Sequence, residues 1–130
     1  MKQAKNGAST ASSMPTPEKV LSKALINVAL NLGLSQRELS EIVGVSKSEM
    51  SRLFNGKIYL SPVTKEGECA LMLVRIYRGL NALLGEDERQ CQEWFQSYNM
   101  HLQNKPKELC KKIAGLTEIV VYLDAMRGMV

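Results

Sequence analysis

The side chains best suited to a chemical role are polar and basic residues between positions 36 and 57. Arg52 can donate two hydrogen bonds to a guanine, and Lys47 and Ser48 lie about one helical turn before it. Amide and lysine side chains that flank such a group donate to phosphate oxygens, which fixes the position of a protein on DNA. The residues predicted to contact DNA are Gln36, Ser46, Lys47, Ser48, Arg52, Asn55 and Lys57.

The elements that must position these side chains begin with a repeated pattern, a serine followed three residues later by a glutamate. The pattern occurs at Ser35–Glu38 and again at Ser46–Glu49. It is typical of the capping box, in which the two side chains accept backbone N–H groups at the start of a helix. The sequence therefore predicts two short helices, with Gly44 in the tight turn between them. Glu49 is open to two interpretations. Its carboxylate either caps the helix or accepts a hydrogen bond from a cytosine amino group.

The segment Ser35–Gly56 also has a small residue, Ser40, in its first helix and apolar residues at fixed offsets. The predicted inward-facing set is Leu39, Ile42, Val43, Val45, Met50, Leu53 and Phe54. This segment resembles the helix-turn-helix of the phage-repressor (Xre/Cro) family, whose base-contacting positions fall on Lys47, Ser48 and Arg52. The alternative is an ordinary helical hairpin with charged tips.

The remaining patterns are helical, and no strand pattern is evident. A first helix is predicted from Thr16-Pro17-Glu18 to Gly33, where a hydroxyl cap, a first-turn proline and a terminal glycine mark its ends. Further helices are predicted at Ser61–Gly85, Glu86–Tyr98, Pro106–Lys112 and from about Leu116 to the end of the sequence. The first of these is apolar around most of its circumference, which indicates burial between domains or in a dimer. The predicted fold class is all-α.

The second half carries a more specific pattern. Trp94-Phe95 is followed by Tyr98-Asn99 and Leu102, then by Lys105-Pro106-Lys107-Glu108-Leu109, and finally by Val120-Val121-Tyr122-Leu123 and Arg127-Gly128. From Leu73 to Gly128 the chain resembles the toxin-binding domain of the Xre/MbcA/ParS antitoxins.

That resemblance implies a protein partner. Antitoxins of this family pair with RES-domain toxins, which consume NAD, or with related ADP-ribosylating toxins, and their C-terminal segment covers the entrance to the toxin's active site. The toxin-binding residues it implies are Asn99, Leu102, Pro106, Tyr122, Arg127, Gly128, Met129 and Val130. Arg127 also suits the negative C-terminal end of its own helix, which is an equally good interpretation.

Length and charge are consistent with this organisation. The 130 residues suffice for one domain or two small ones. Residues 1–32 hold four lysines and one glutamate, residues 33–58 hold four basic and three acidic groups, and residues 59–130 hold nine of each, so the net charge of +4 lies in the first half. We predict a disordered basic arm (1–14), a helix-turn-helix domain (15–60) and a helical dimerisation and toxin-binding domain (61–130).

Several other classes of protein are not expected. No apolar run approaches the roughly 20 residues that span a bilayer, and the first 20 residues lack the apolar core of a secretory signal, so we expect a cytoplasmic location. Cys69, Cys91 and Cys110 form no metal or redox motif, and His101 is the single histidine. We therefore expect no metal, no cofactor and no enzymatic activity.

The hypothesis from sequence is an antitoxin that also represses its own operon, binding operator DNA as a homodimer because one short recognition helix reads few bases. Two alternatives remain open at this point. One is a free-standing repressor of the Xre family whose second domain serves dimerisation or ligand sensing. The other is a protein-interaction adaptor whose helix-turn-helix no longer reads DNA.

Overall fold

The computed structural model describes residues 14–128, and this part of the chain folds into seven helices without a strand. The all-α prediction is confirmed. Most of the predicted basic arm, together with Met129 and Val130, lies outside the described residues. The helices are α1 (Pro17–Leu32), α2 (Gln36–Val43), α3 (Lys47–Phe54), α4 (Lys65–Leu84), α5 (Glu88–Gln96), α6 (Pro106–Leu109) and α7 (Ile113–Gly128).

The first three helices form as their sequence signals indicate. The Thr16 hydroxyl accepts the backbone N–H of Lys19 at 3.1 Å and caps α1, and both predicted capping boxes are present on α2 and α3. Gly44 connects these two short helices with φ of +89°, a left-handed conformation that most side chains disfavour. The chain therefore turns sharply enough for α3 to pack across α2.

Helix α4 is the central element of the fold. It packs against α1 and α2 on the N-terminal side and against α5 and α7 on the C-terminal side. Its buried residues, among them Leu73, Ile76 and Leu80, are almost inaccessible to solvent. They belong to one apolar core that continues from α1 to α7. The predicted burial of this helix on more than one side therefore reflects packing between the two halves of the chain.

Several helix ends differ from the prediction. Helix α4 begins at Lys65 rather than near Ser61, because the Thr64 hydroxyl accepts the N–H of Gly67 at 3.0 Å and donates to the Ser61 carbonyl at 2.9 Å. Helix α5 begins at Glu88 because Asp87 caps it, accepting the N–H of Gln90 at 3.1 Å. Helix α6 ends at Leu109, three residues earlier than predicted, and a turn leads from it to α7.

Some apolar side chains of these helices are not buried. Val20 on α1 remains 54% exposed, and Trp94 on α5 is half-buried whereas its neighbour Phe95 is fully buried. Among residues 14–128, no helix has both the length and the apolar character needed to cross a bilayer.

The two interior glycines of α4 provide a matched test of its packing. A Cβ at position 67 would lie only 1.8 Å from the Ser61 carbonyl oxygen, whereas a Cβ at position 79 would meet Leu123 at an ordinary 3.5 Å. We expect Gly67→Ala to lower the free energy of unfolding by about 1–3 kcal/mol through overpacking. Gly79→Ala should raise it by up to about 1 kcal/mol through helix propensity.

Urea denaturation of both variants measures this difference. Equal stability of the two variants would contradict the packing described for the start of α4.

Candidate functional sites

The recognition surface is built on α3, whose N-terminal end is held by the Ser46–Glu49 capping box. Ser46 Oγ accepts the N–H of Glu49 at 3.1 Å, and Ser46 N–H donates to Glu49 Oε1 at 3.0 Å. The inner side of α3 buries Met50 and Leu53 against α2 and the core. Because the inner side is fixed in this way, the opposite side of α3 is presented to solvent with a defined orientation.

All seven residues predicted to contact DNA are exposed on this surface. They are Gln36, Ser46, Lys47, Ser48, Arg52, Asn55 and Lys57. Gln36 at the start of α2 and Lys47 at the start of α3 line a common cleft of about 170 Å³. Arg37, which was not among the predicted contacts, lines the same cleft and is exposed. Its position directly after Gln36, which is predicted to contact phosphate, was the signal available for finding it.

The structure favours the capping interpretation for Glu49. The backbone N–H of Ser46, and then its hydroxyl, lower the pKa of the Glu49 carboxyl below its usual range. At neutral pH this side chain is therefore an anion directed at the start of α3. The Ser46 hydroxyl takes part in the same cap and also lies 3.3 Å from the Ser48 hydroxyl.

The predicted toxin-binding residues separate into buried and exposed groups. Asn99 Oδ1 accepts the N–H of Leu102 at 3.0 Å, and Asn99 N–H donates to the Asn104 carbonyl at 2.9 Å, so Asn99 holds the loop between α5 and α6 in shape. Leu102 and Pro106 are buried. These three residues shape the loop, which also carries Met100, a side chain that is 83% exposed.

Three aromatic rings lie close together beside this loop, one on α5, one in the loop and one on α7. We call these residues, Trp94, His101 and Tyr122, the aromatic ladder. The rings of Trp94 and Tyr122 stack with centroids 6.4 Å apart, and the centroid of the His101 ring lies 6.2 Å from that of Tyr122. A cleft of about 490 Å³ adjoins the ladder and is lined by Trp94, Tyr98 and Asn99 among others. Exposed aromatic side chains combine a large apolar area with polar groups, as protein interfaces require. Tyr122 is among the predicted toxin-binding residues, whereas Trp94 is not.

Arg127 and Gly128 lie at the exposed C-terminal end of α7. Arg127 Nη1 is 3.9 Å from Asp124 Oδ1, whereas the other carboxylate oxygen of Asp124 pairs with Arg75 at 2.6 Å. Arg127 is therefore only loosely paired, and about half of its side chain is open to solvent. The structure places it on the same helix as Tyr122, about one and a half turns further on.

A polar cluster that sequence reasoning missed joins the recognition surface to the second half of the chain. Lys107 Nζ donates to Glu38 Oε2 at 2.6 Å and to Gln96 Oε1 at 2.8 Å. Gln96 Nε2 in turn donates to the Leu32 carbonyl at 2.9 Å, just before α2 begins. We call these residues, Glu38, Gln96 and Lys107, the polar clamp. Sixty-nine positions separate Glu38 from Lys107, and no local pattern reveals a contact at that separation.

The three thiols are buried and not activated. Burial raises the pKa of Cys110 to about 12, and burial followed by nearby carboxylates raises the pKa of Cys69 and Cys91. All three are therefore protonated thiols at neutral pH. Within residues 14–128, no three side chains of the His, Cys, Asp or Glu types form a group that could hold a metal ion.

This geometry defines a helix-turn-helix DNA-binding protein with an additional helical domain that presents an aromatic surface. Two family models match the chain: the antitoxin Xre-like helix-turn-helix domain over residues 13–75, and the antitoxin Xre/MbcA/ParS C-terminal toxin-binding domain over residues 79–128. The chain belongs to the Xre/MbcA/ParS antitoxin family. A comparison with curated proteins found no match. Membership of this family means that the chain has a toxin as its partner and binds DNA through its helix-turn-helix.

The polar clamp gives the fold a measurable pH dependence. The hydrogen bond from Lys107 is the main reason that the pKa of Glu38 lies below its usual range. Because this pKa is lower in the folded than in the unfolded chain, the Glu38 carboxylate stabilises the fold above about pH 4.3, and the stabilisation is lost as pH falls through the folded pKa. We expect Lys107→Met to raise the pKa of Glu38 and to reduce the loss of stability between about pH 5 and pH 3.

NMR titration of the Glu38 carboxyl carbon, combined with urea denaturation at each pH, measures both effects. Lys112→Met is the matched control, because Lys112 is exposed and takes part in none of the ion pairs of residues 14–128. An unchanged Glu38 titration in Lys107→Met would contradict the clamp.

Proposed function

We propose that this antitoxin neutralises a RES-type, NAD-consuming toxin by covering the entrance to its active site, and that it represses its own operon as a homodimer. The observation that carries the proposal is the presence, in one chain, of an exposed recognition helix and a toxin-binding domain. A protein with both surfaces is able to hold operator DNA and a toxin, as an antitoxin that represses its own operon must.

The exposed side of α3 supports sequence-specific DNA binding. Lys47, Ser48 and Arg52 lie on a helix of the length that enters a major groove, and the residues at its N-terminal end are exposed. Gln36 and Lys57 lie before and after this helix, where phosphate contacts fix its register. One such helix reads only a few base pairs, so we infer binding as a homodimer to two half-sites.

The second half of the chain supports occlusion of a toxin. Its net charge is zero, so it brings no general attraction to DNA that would compete with a protein partner. The aromatic ladder and Met100 offer apolar contact area, and Arg127 offers a cation near the end of the chain. NAD carries a pyrophosphate, so an arginine suits the entrance to a pocket that binds it.

Substitution of Arg52 tests whether the protein recognises a specific DNA sequence. We expect Arg52→Ala to weaken binding to the DNA upstream of its own coding sequence by about 1–3 kcal/mol, roughly 5- to 150-fold. Binding to an unrelated duplex should change little, because that binding depends on phosphate contacts.

Fluorescence anisotropy with both duplexes measures this effect. Arg89→Ala is the control, since Arg89 is an exposed arginine on α5, away from the recognition surface. The operator proposal fails if Arg52→Ala and Arg89→Ala bind the upstream DNA equally well.

Removal of residues 127–130 tests occlusion. The protein is co-expressed with the product of the adjacent gene, and growth, co-purification and NAD consumption are recorded. We expect the full chain to restore growth and to suppress NAD consumption, and the shortened chain to do neither, because the residues that cover the toxin's active site are gone. The shortened chain should keep its thermal stability and its DNA affinity, since Arg127 and Gly128 are exposed.

Two results would contradict the proposal. Growth rescue and an intact complex after the deletion would exclude occlusion by the C-terminal segment. An adjacent gene product that neither slows growth nor consumes NAD would instead favour a free-standing repressor.

A further inference from the structure

A cleft that the proposed function does not use lies between α1 and the C-terminal end of the recognition helix α3. Its volume is about 290 Å³. Ile26, Leu53 and Phe54 line its apolar part, and Lys19, Lys23 and Tyr59 line its polar part. No carboxylate is among the residues that line it. The charged side chains that line this cleft, Lys19 and Lys23, are therefore both positive.

Lys19 and Lys23 are four residues apart on α1 and so project from the same side of the helix. Two like charges at this spacing destabilise a helix by a few tenths of a kcal/mol. Both side chains are exposed, and none of the ion pairs among residues 14–128 includes either of them. An anion placed between them would relieve this repulsion.

Tyr59 adds a fixed contact to this pair. Lys19 Nζ lies 5.8 Å from the centroid of the Tyr59 ring, within the range of a cation–π interaction. The Tyr59 side chain is 47% exposed. Tyr59 therefore holds the Lys19 ammonium beside α3.

We propose that Lys19 and Lys23 bind phosphate groups of the operator backbone and extend the DNA-contacting surface from α3 onto α1. The inference rests on the proposed binding of operator DNA through α3. The cleft is walled by Phe54 and Gly56, and the predicted phosphate contacts Asn55 and Lys57 alternate with these residues along the chain. A DNA strand held by Asn55 and Lys57 passes the mouth of the cleft and brings its next phosphates to the two lysines.

The test uses the double variant Lys19→Gln, Lys23→Gln in the full chain. Each lost phosphate contact reduces the slope of log affinity against log salt concentration by about 0.9, so we expect a reduction of up to about 1.8. Between 50 mM and 200 mM salt the wild-type chain should accordingly lose about tenfold more affinity than the double variant. The effect should be the same on the upstream DNA and on an unrelated duplex, because phosphates carry no base sequence.

The matched control is Arg89→Gln, Lys112→Gln, which removes the same charge from exposed positions in the second half. Lys19→Arg, Lys23→Arg keeps the charge and should keep the wild-type slope. A double variant whose slope equals that of the control overturns the inference, and so does a loss of affinity confined to the upstream DNA. A wild-type chain without preference for the upstream DNA contradicts the operator proposal alone, because the change in slope is measured independently on the unrelated duplex.

Discussion

The rest of the structure depends on α4, which has to pack against two sets of partners at once. A helix that buries residues on only one side leaves the other free for solvent, but α4 contacts α1 and α2 on one side and α5 and α7 on the other. Leu73, Ile76 and Leu80 are consequently almost inaccessible, and the exposed charges Glu68, Arg75 and Arg78 are confined to a narrow stripe. Because both halves share this helix, neither half has a core that is closed without the other.

The shared core sets the distance between the two functional surfaces, and the polar clamp sets their orientation. Lys107 follows directly on Pro106 at the start of α6, beside the loop that carries Met100, and it pairs with Glu38 on α2. Gln96 reaches the carbonyl group at the end of α1, so the turn that leads into Gln36 is also held. A protein that moved this loop would therefore act on the start of α2, which belongs to the recognition surface.

Local signals accounted for most of the fold. The capping boxes at Ser35 and Ser46, the turn at Gly44 and the start of α1 at Thr16 all depend on residues within a few positions of one another, and the sequence shows them directly. The ends of α4 and α5 were predicted less well because Thr64 and Asp87 compete with nearby residues for the same capping role. The clamp and the stacking of Trp94 on Tyr122 join residues far apart in sequence, and periodicity carries no information about such pairs.

The clamp also resolves a difficulty with the charge of the DNA-binding segment. Residues 33–58 carry a net charge of only +1, because Glu38, Glu41 and Glu49 oppose four basic residues. Glu38 pairs with Lys107 at 2.6 Å and Glu41 with Lys111 at 3.2 Å, so two of the three acids have partners supplied by the second half of the chain. The third, Glu49, is held in its cap.

The four basic residues of this segment take part in none of the ion pairs of residues 14–128, which leaves them available to phosphates and bases. They are Arg37, Lys47, Arg52 and Lys57. The second half of the chain thus compensates the acids on α2, which would otherwise repel the phosphate backbone of a bound DNA.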